Sequence, residues 1–273
     1  MTLLTAAGFN GSKRDCSSII FDQGSVIDAL SGFSRVLLQS DFNGFDGTVA
    51  ANVGKYAVDG AGGMRSYEDT GGSIVPVETT TGGVIKITTG GTDNNEAWLC
   101  NGGAKGAICK ISASGHKRVR FETRVAFGQI VAQNWFVGLS EEGLAAADTI
   151  TDAGALADKD LIGFAVLEAD PANISCVIRK AGQAVVTVLA AAQAITADTF
   201  YKLGFVYDPK ATKRIRWYVD GVEVASSDSA VIAAATFGHL PAVFLPAGPM
   251  TSGIPNDQKS TARQQFAAGE LGR

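Results

Sequence analysis

Tyr201-Lys202-Leu203-Gly204-Phe205-Val206-Tyr207 is followed, after Asp208-Pro209-Lys210-Ala211-Thr212-Lys213, by Arg214-Ile215-Arg216-Trp217-Tyr218-Val219 and then by Asp220-Gly221-Val222-Glu223-Val224-Ala225. Two runs rich in apolar and aromatic residues flank a turn segment that contains proline. Asp-Gly between apolar runs is a two-residue hairpin signal, because such turns need a positive φ at their central positions. The stretch predicts three antiparallel strands joined by short turns.

Working outward, residues 117–127 carry the clearest strand pattern. Val119, Phe121, Thr123, Val125 and Phe127 share one face, and Arg118, Arg120, Glu122 and Arg124 share the other. Side chains that alternate in this way belong to a strand with one buried face. Shorter strands are predicted at 35–39, 84–88, 97–100, 107–111, 161–167, 175–180, 184–189 and 243–245. Residues 135–139 lack alternation, which predicts a strand buried on both faces. Residues 47–83 read as loop, because the Gly62-Gly63, Gly71-Gly72 and Gly82-Gly83 doublets break each candidate element. Glu141 to Ala147 reads as a helical turn. Gln258 to Ala268 reads either as a short helix or as a segment that stays extended until a partner orders it. About a dozen short strands without alternating helices predict an all-β sandwich of two antiparallel sheets. The length favours a large jelly roll over a seven-stranded immunoglobulin-type domain. The expected organisation is an arm over residues 1–33, a sandwich over 34–250 and a tail over 251–273.

Composition narrows the function. There are 33 glycines in 273 residues and a formal net charge of −4, and the two histidines are His116 and His239. Average glycine usage is roughly 7%, and the excess fits a chain with many turns. An acidic chain without basic blocks is a poor nucleic-acid binder. Two histidines do not build a His-rich metal site. No run of 18 or more apolar residues predicts a membrane span, and residues 1–11 do not read as a signal peptide. Cys16, Cys100, Cys109 and Cys176 form no C-x-x-C pair. They read as reduced, buried thiols, with Cys100 and Cys109 able to pair if their strands are adjacent, and a reducing cytoplasm is the expected folding compartment.

Motifs for chemistry are scarce. No E-x-D-x-x-E supplies the two carboxylates that a retaining glycosidase needs on one strand face. Glu122 stands between Arg120 and Arg124, which reads as a solvated or interface charge ladder. Glu168 and Asp170 precede Pro171 and read as a strand end. G-x-S-x-G is absent, and His116 sits in a turn, while His239 lies among Phe237, Leu240 and Pro241 as a packed or interface residue. Asp41, Asn43 and Asp46 offer oxygens, but their spacing misses the EF-hand loop and reads as a turn. The glycine doublets lack the helix and Lys-Ser/Thr that a phosphate loop requires. Trp98, Trp135 and Trp217 could stack on a sugar by type, yet all lie in apolar strand runs and read as core. No catalytic, metal-binding or cofactor-binding residue is assigned, and no enzymatic activity is expected.

The 201–207 and 215–222 hairpin resembles the concanavalin A-like (laminin-G-like) jelly roll, in which a strand reads into Tyr-Val-Asp-Gly-Val. Asp41-Phe42-Asn43-Gly44 resembles the opening strand of those domains, and the resemblance covers roughly residues 34–250. Asn94-Asn95-Glu96-Ala97, Phe121-Glu122-Thr123-Arg124-Val125, the run from Phe136 to Gly143 and the run from Leu156 to Phe164 are similar to a narrower group. These are tailed-bacteriophage virion proteins that accompany the major capsid protein as decoration or cement. That resemblance implies a structural protein of the virion, assembled in the host cytoplasm. It would bind the major capsid protein lattice, as a homo-oligomer such as a dimer or trimer, without nucleic acid or membrane. The alternative is a carbohydrate-binding module or a tail-associated, lectin-like adhesion protein, with surface glycans as partners. The expected partner-binding residues are Arg118, Arg120, Glu122 and Arg124 on the charged ladder, and Gln258, Arg263, Phe266 and Arg273 in the tail.

Overall fold

The hairpin at Asp220-Gly221 forms as its residues dictate. Asp220 has φ 49° and Gly221 φ 83°, the paired left-handed geometry that matches the twist of the flanking strands. It joins β14 (Ile215–Val219) to β15 (Val222–Ser227), and β13 (Phe200–Tyr207) pairs antiparallel with β14 on the other side. The predicted meander is therefore present.

In the computed structural model, side chains are described for most of residues 72–77, 84–89, 118–131, 134–140 and 149–227 and for Asn95, Ala97 and Leu99; elsewhere the description is of strand backbone. The described residues are all-β with no helix, in two antiparallel eight-stranded sheets and a two-stranded ribbon. The first sheet runs β15, β14, β13, β8 (Arg118–Phe127), β18 (Thr261–Leu271), β5 (Ile85–Thr88) and β4 (Ser73–Pro76), with β1 (Val36–Ser40) also beside β18. The second runs β12 (Val186–Ala194), β11 (Asp170–Arg179), β10 (Leu161–Leu167), β9 (Asn134–Ser140), β17 (Ala242–Ala247), β6 (Ala97–Asn101), β3 (Met64–Glu68) and β2 (Ala57–Val58). The ribbon pairs β16 (Thr236–Leu240) with β7 (Cys109–Ser112).

The core lies between the two sheets. Val119, Phe121, Val125 and Phe127 of β8 and Tyr201, Leu203, Phe205 and Tyr207 of β13 face Trp135, Val137 and Leu139 of β9 and Ile162, Phe164 and Val166 of β10. Phe121 stacks on Phe205 with centroids 5.2 Å apart, and Phe127 meets Trp135 edge-on at 5.3 Å. Each fully buried side chain of this size contributes about 1.5–3 kcal/mol. Trp217 crosses the core: its indole Nε1 donates to the carbonyl of Gly163, 3.2 Å away. The predicted core positions of Trp135 and Trp217 are thus occupied as expected, and β9 is buried along its whole length.

Two expectations need correction, and one open question is settled among the strands. The 47–83 segment, read as loop, contains β2, β3 and β4. Met64–Glu68 and Ser73–Pro76 have no alternation of their own, and their extended form comes from pairing with β6 and β5. Thr261–Leu271 is neither helix nor free tail. Its alanines, glutamines and arginine are good helix formers, but ten of its residues pair with β8, and tertiary pairing overrides propensity. Cys100 and Cys109 do not lie on adjacent strands, since β6 neighbours β17 and β3 while β7 pairs with β16. Glu141 to Ala147, Asp41 to Asp46, His116, Cys16 and residues 1–33 lie outside the described residues.

Cys176 is a free thiol, buried on β11, and desolvation pushes its pKa from 9.0 to about 12. The unfolded chain releases this proton first. The contribution to stability is therefore intact below pH 9 and is lost as pH rises toward 12, at up to about 1.4 kcal/mol per pH unit. Urea midpoints measured from pH 8 to pH 11 should fall more steeply for the native chain than for Cys176→Ala. Parallel curves would show that the thiol is not desolvated.

Candidate functional site

Period two on β8 and β13 sorts their residues by face, although Glu122, Ala126 and Gly204 on the second face are themselves buried. One set enters the core, and the other (Arg118, Arg120, Glu122 and Arg124 with Phe200, Lys202, Gly204 and Val206) forms the outward face of the first sheet. Register then sets the neighbours. Glu122 stands opposite Gly204, and Gly204 opposite Tyr218 of β14. Arg120 stands opposite Val206, and Val206 opposite Arg216, while Arg124 stands opposite Lys202. Gly204 is therefore a buried position without a side chain, between a carboxylate and a phenol about 10 Å apart at the backbone, two strand spacings. Guanidinium groups lie beside them.

Contacts fix several of these side chains. Arg118 Nε lies 2.8 Å from Asp208 Oδ2. The Arg124 guanidinium sits 4.4 Å over the Phe200 ring, a cation–π contact that holds the charge at the surface. Tyr218 Oη lies 3.4 Å from Glu223 Oε2. Burial raises the Tyr218 phenol above its ordinary 10.0; Arg216 pulls it down, Glu223 raises it by charge and hydrogen bonding, and Arg120 pulls it down. The phenol therefore keeps its proton at neutral pH and is a hydrogen-bond donor. Asp220 Oδ1 accepts from the Lys202 backbone N–H at 2.8 Å, closing the rim beside the hairpin.

The structure places Arg118, Arg120, Glu122 and Arg124 together on this face, but not as a uniformly solvated ladder. Arg118 and Arg124 are exposed, Arg120 is half-buried and Glu122 is only 9% exposed. Arg263 and Phe266 lie within β18, opposite Ala126 and Thr123 of β8, so their backbone belongs to the sheet and not to a tail. Gln258 and Arg273 lie outside the described residues. Lys202, Gly204, Arg216, Tyr218 and Glu223 were missed, although the alternation read on 117–127 picks out the first four when applied to 200–207 and 215–219.

A second polar cluster ties a connection to the end of the second sheet. Lys180 Nζ lies 2.9 Å from Asp160 Oδ2, Arg179 Nη2 lies 3.2 Å from Asp158 Oδ1, and the Ala181 and Gly182 backbone N–H groups donate to Asp160 and Asp158. Arg179 also donates to the Leu156 carbonyl. Every one of these groups is consumed in holding 156–160 against the 179–183 turn, so the cluster is structural. Glu168 sits in the β10–β11 turn, where its N–H donates to Asn134 Oδ1 at 2.6 Å, in keeping with the strand-end reading. Among the described residues, no three His, Cys, Asp or Glu side chains are grouped to hold a metal ion.

Solved structures with the same arrangement include the basic winged bean lectin, described with Tn-antigen (TM-score 0.53, 7% identity, covering 87% of this chain and 98% of the lectin). The winged bean acidic lectin, complexed with methyl-alpha-D-galactose, superposes at TM-score 0.52 with 12% identity over 88% of this chain and all of the lectin (100%). The fold is a concanavalin A-like jelly-roll sandwich of two antiparallel sheets. Endo-beta-1,4-glucuronan lyase from the fungus Trichoderma reesei shares it at TM-score 0.51 and 11% identity, covering 86% of this chain and 94% of the lyase. Enzymes are thus built on the same sandwich, and the missing E-x-D-x-x-E removes one hydrolase chemistry only. No family model matches the chain. A short stretch is similar to phosphogluconate dehydratase, 71% identical over 42 residues in Rhizobium meliloti (strain 1021) and 57% over 42 residues in Escherichia coli (strain K12). The chain spans about 7% of the length of these curated relatives and 15% of its own length is involved. The phage-head family that the sequence resembles gains no support from these likenesses.

Proposed function

We propose that the domain binds carbohydrate through the outward face of its first sheet. The observation that carries this reading is the polar group on the strands around Gly204: a protonated phenol, a carboxylate and guanidinium groups. A sugar presents hydroxyls that both donate and accept, and this face offers both partners, with Tyr218 as an apolar surface for a ring. The likeness to the two winged bean lectins supports the reading at the level of the fold. The capsid-lattice role is left without a comparable observation.

A glycan array probed with the purified chain, followed by calorimetric titration of the best ligand, tests the proposal. Tyr218→Ala should weaken that ligand about tenfold, the loss of one hydrogen bond and one stacking surface, near 1.4 kcal/mol. Binding that Tyr218→Ala leaves unchanged would move the site off this face, and an array without a specific signal would remove the carbohydrate reading.

A further inference from the structure

The outward face carries more positive charge than the rest of the chain allows for. Lys86, Arg118, Arg120, Arg124, Lys202 and Arg216 lie on it, against Glu122, Asp208, Asp220 and Glu223. The face is therefore net positive on a chain whose formal net charge is −4. Lys86 joins through β5: residues 85 and 87 are in the core and Lys86 is exposed on the other side. Accepting the carbohydrate reading of this same face, we infer that its ligand is an acidic polysaccharide, a polymer of uronic acid residues, lying along the β8–β13–β14 strands.

Three features select that class. Guanidinium groups match a planar carboxylate through two parallel hydrogen bonds, which a neutral sugar does not offer. Arg118, Arg120 and Arg124 are spread along one strand, from the first to the last over about 20 Å. Cations laid out in a row meet charges repeated along a polymer; a single small anion would call for convergence on one point. The interleaved carboxylates separate this ligand from a nucleic acid. Glu122 and Glu223 accept hydrogen bonds from sugar hydroxyls, whereas the closely spaced phosphates of a duplex have no donors for them and are repelled.

The test uses the full chain and four probes: polygalacturonate, dextran as a neutral polymer, heparin as a sulfated one, and duplex DNA. Binding is measured by calorimetry or affinity electrophoresis at 50 and 300 mM NaCl. Polygalacturonate should bind, dextran should not, and affinity should drop about tenfold or more between the two salt concentrations as counterions compete for the arginines. Arg216→Ala and Arg124→Ala, on opposite sides of Gly204, should each weaken binding about tenfold, with unchanged circular dichroism. Arg216→Lys should recover only part of the loss, since an ammonium does not form the paired hydrogen bonds. Should Arg216→Ala fail to fold, Arg216→Gln and the salt dependence of the native chain carry the test. Dextran bound as well as polygalacturonate would overturn the acidic class and leave the carbohydrate reading standing. Heparin or DNA bound as tightly as polygalacturonate would overturn it in favour of general polyanion attraction. Polygalacturonate binding unaffected by either arginine variant would overturn the site. No binding to any of the polysaccharides would overturn both this inference and the reading beneath it.

Discussion

Gly163→Ala should cost at least about 3 kcal/mol and lower the melting temperature by roughly 6–12 °C. A Cβ at residue 163 would lie 2.2 Å from the Val137 carbonyl oxygen, 2.8 Å from the Gly138 Cα and 3.0 Å from the Val137 carbonyl carbon. All three are backbone atoms of β9, in the middle of the second sheet, and none swings aside as a side chain would. The reverse holds as well, because a Cβ at Gly138 would lie 2.2 Å from the Ile162 carbonyl oxygen. Gly138 and Gly163 are register partners, so each residue is glycine for the sake of the other strand. Relief requires parting β9 from β10, which uncovers ladder hydrogen bonds and the core side chains Val137, Ile162 and Phe164. Against a domain stability of about 5–15 kcal/mol, that is a large fraction. Gly182→Ala is the control. Gly182 has φ +78° and nothing within 4 Å of its would-be Cβ, so it should cost only about 1 kcal/mol of backbone strain. Urea titration of the three proteins decides the matter. A Gly163→Ala variant within 1 kcal/mol of the native chain would mean that the two strands are not in close contact.

That glycine pair marks where reading the residues stops. Gly138 and Gly163 each interrupt an apolar run, and nothing local says that they meet. The meander from Phe200 to Ser227 was legible because its information is local: alternation, a turn segment and an Asp-Gly hairpin are adjacent in the chain. β8 was legible for the same reason. β3 and β4 were not, since their extended form comes from pairing with β6 and β5, and β3 lies about 30 residues from its partner. β18 read as a potential helix because glutamine, alanine and arginine favour one, and only its pairing with β8, more than a hundred residues earlier, makes it a strand. The candidate site shows the same division. Arg118, Arg120, Glu122 and Arg124 stood out as a row, but a row on one strand is only an edge of a surface. Gly204, Arg216 and Tyr218 join it through the registers of two ladders, and Gly204 has no side chain to draw attention to it. The charge reading had the same limit: a chain with a sum of −4 conceals a positive face until the strands are laid side by side.

Trp217→Ala should be among the most damaging single substitutions in the described core, at about 3–5 kcal/mol. Trp217 is fully buried on β14, opposite Phe205, which itself stands opposite Phe121. Truncation leaves a cavity beside the stacked phenylalanines that the surrounding strands fill poorly. It also removes the donor that serves the Gly163 carbonyl from the other sheet. Trp217→Phe separates the two effects. It keeps most of the apolar volume but leaves the carbonyl with one bond fewer, which should cost about 1–3 kcal/mol. Combining Trp217→Phe with Gly163→Ala should cost less than the sum of the two, because both act on the same stretch of β10. Denaturant midpoints for the two single variants and the double variant measure this coupling, and strict additivity would show that the indole does not tie the sheets at Gly163. The consequence reaches the outward face, where Arg216 and Tyr218 flank Trp217 on the same strand. A folded Trp217→Phe protein keeps the β13–β14 register and should bind the glycan with native affinity at 25 °C. Its affinity should fall only near its lowered melting temperature, as the folded fraction declines, which separates support of the site from direct contact with the ligand.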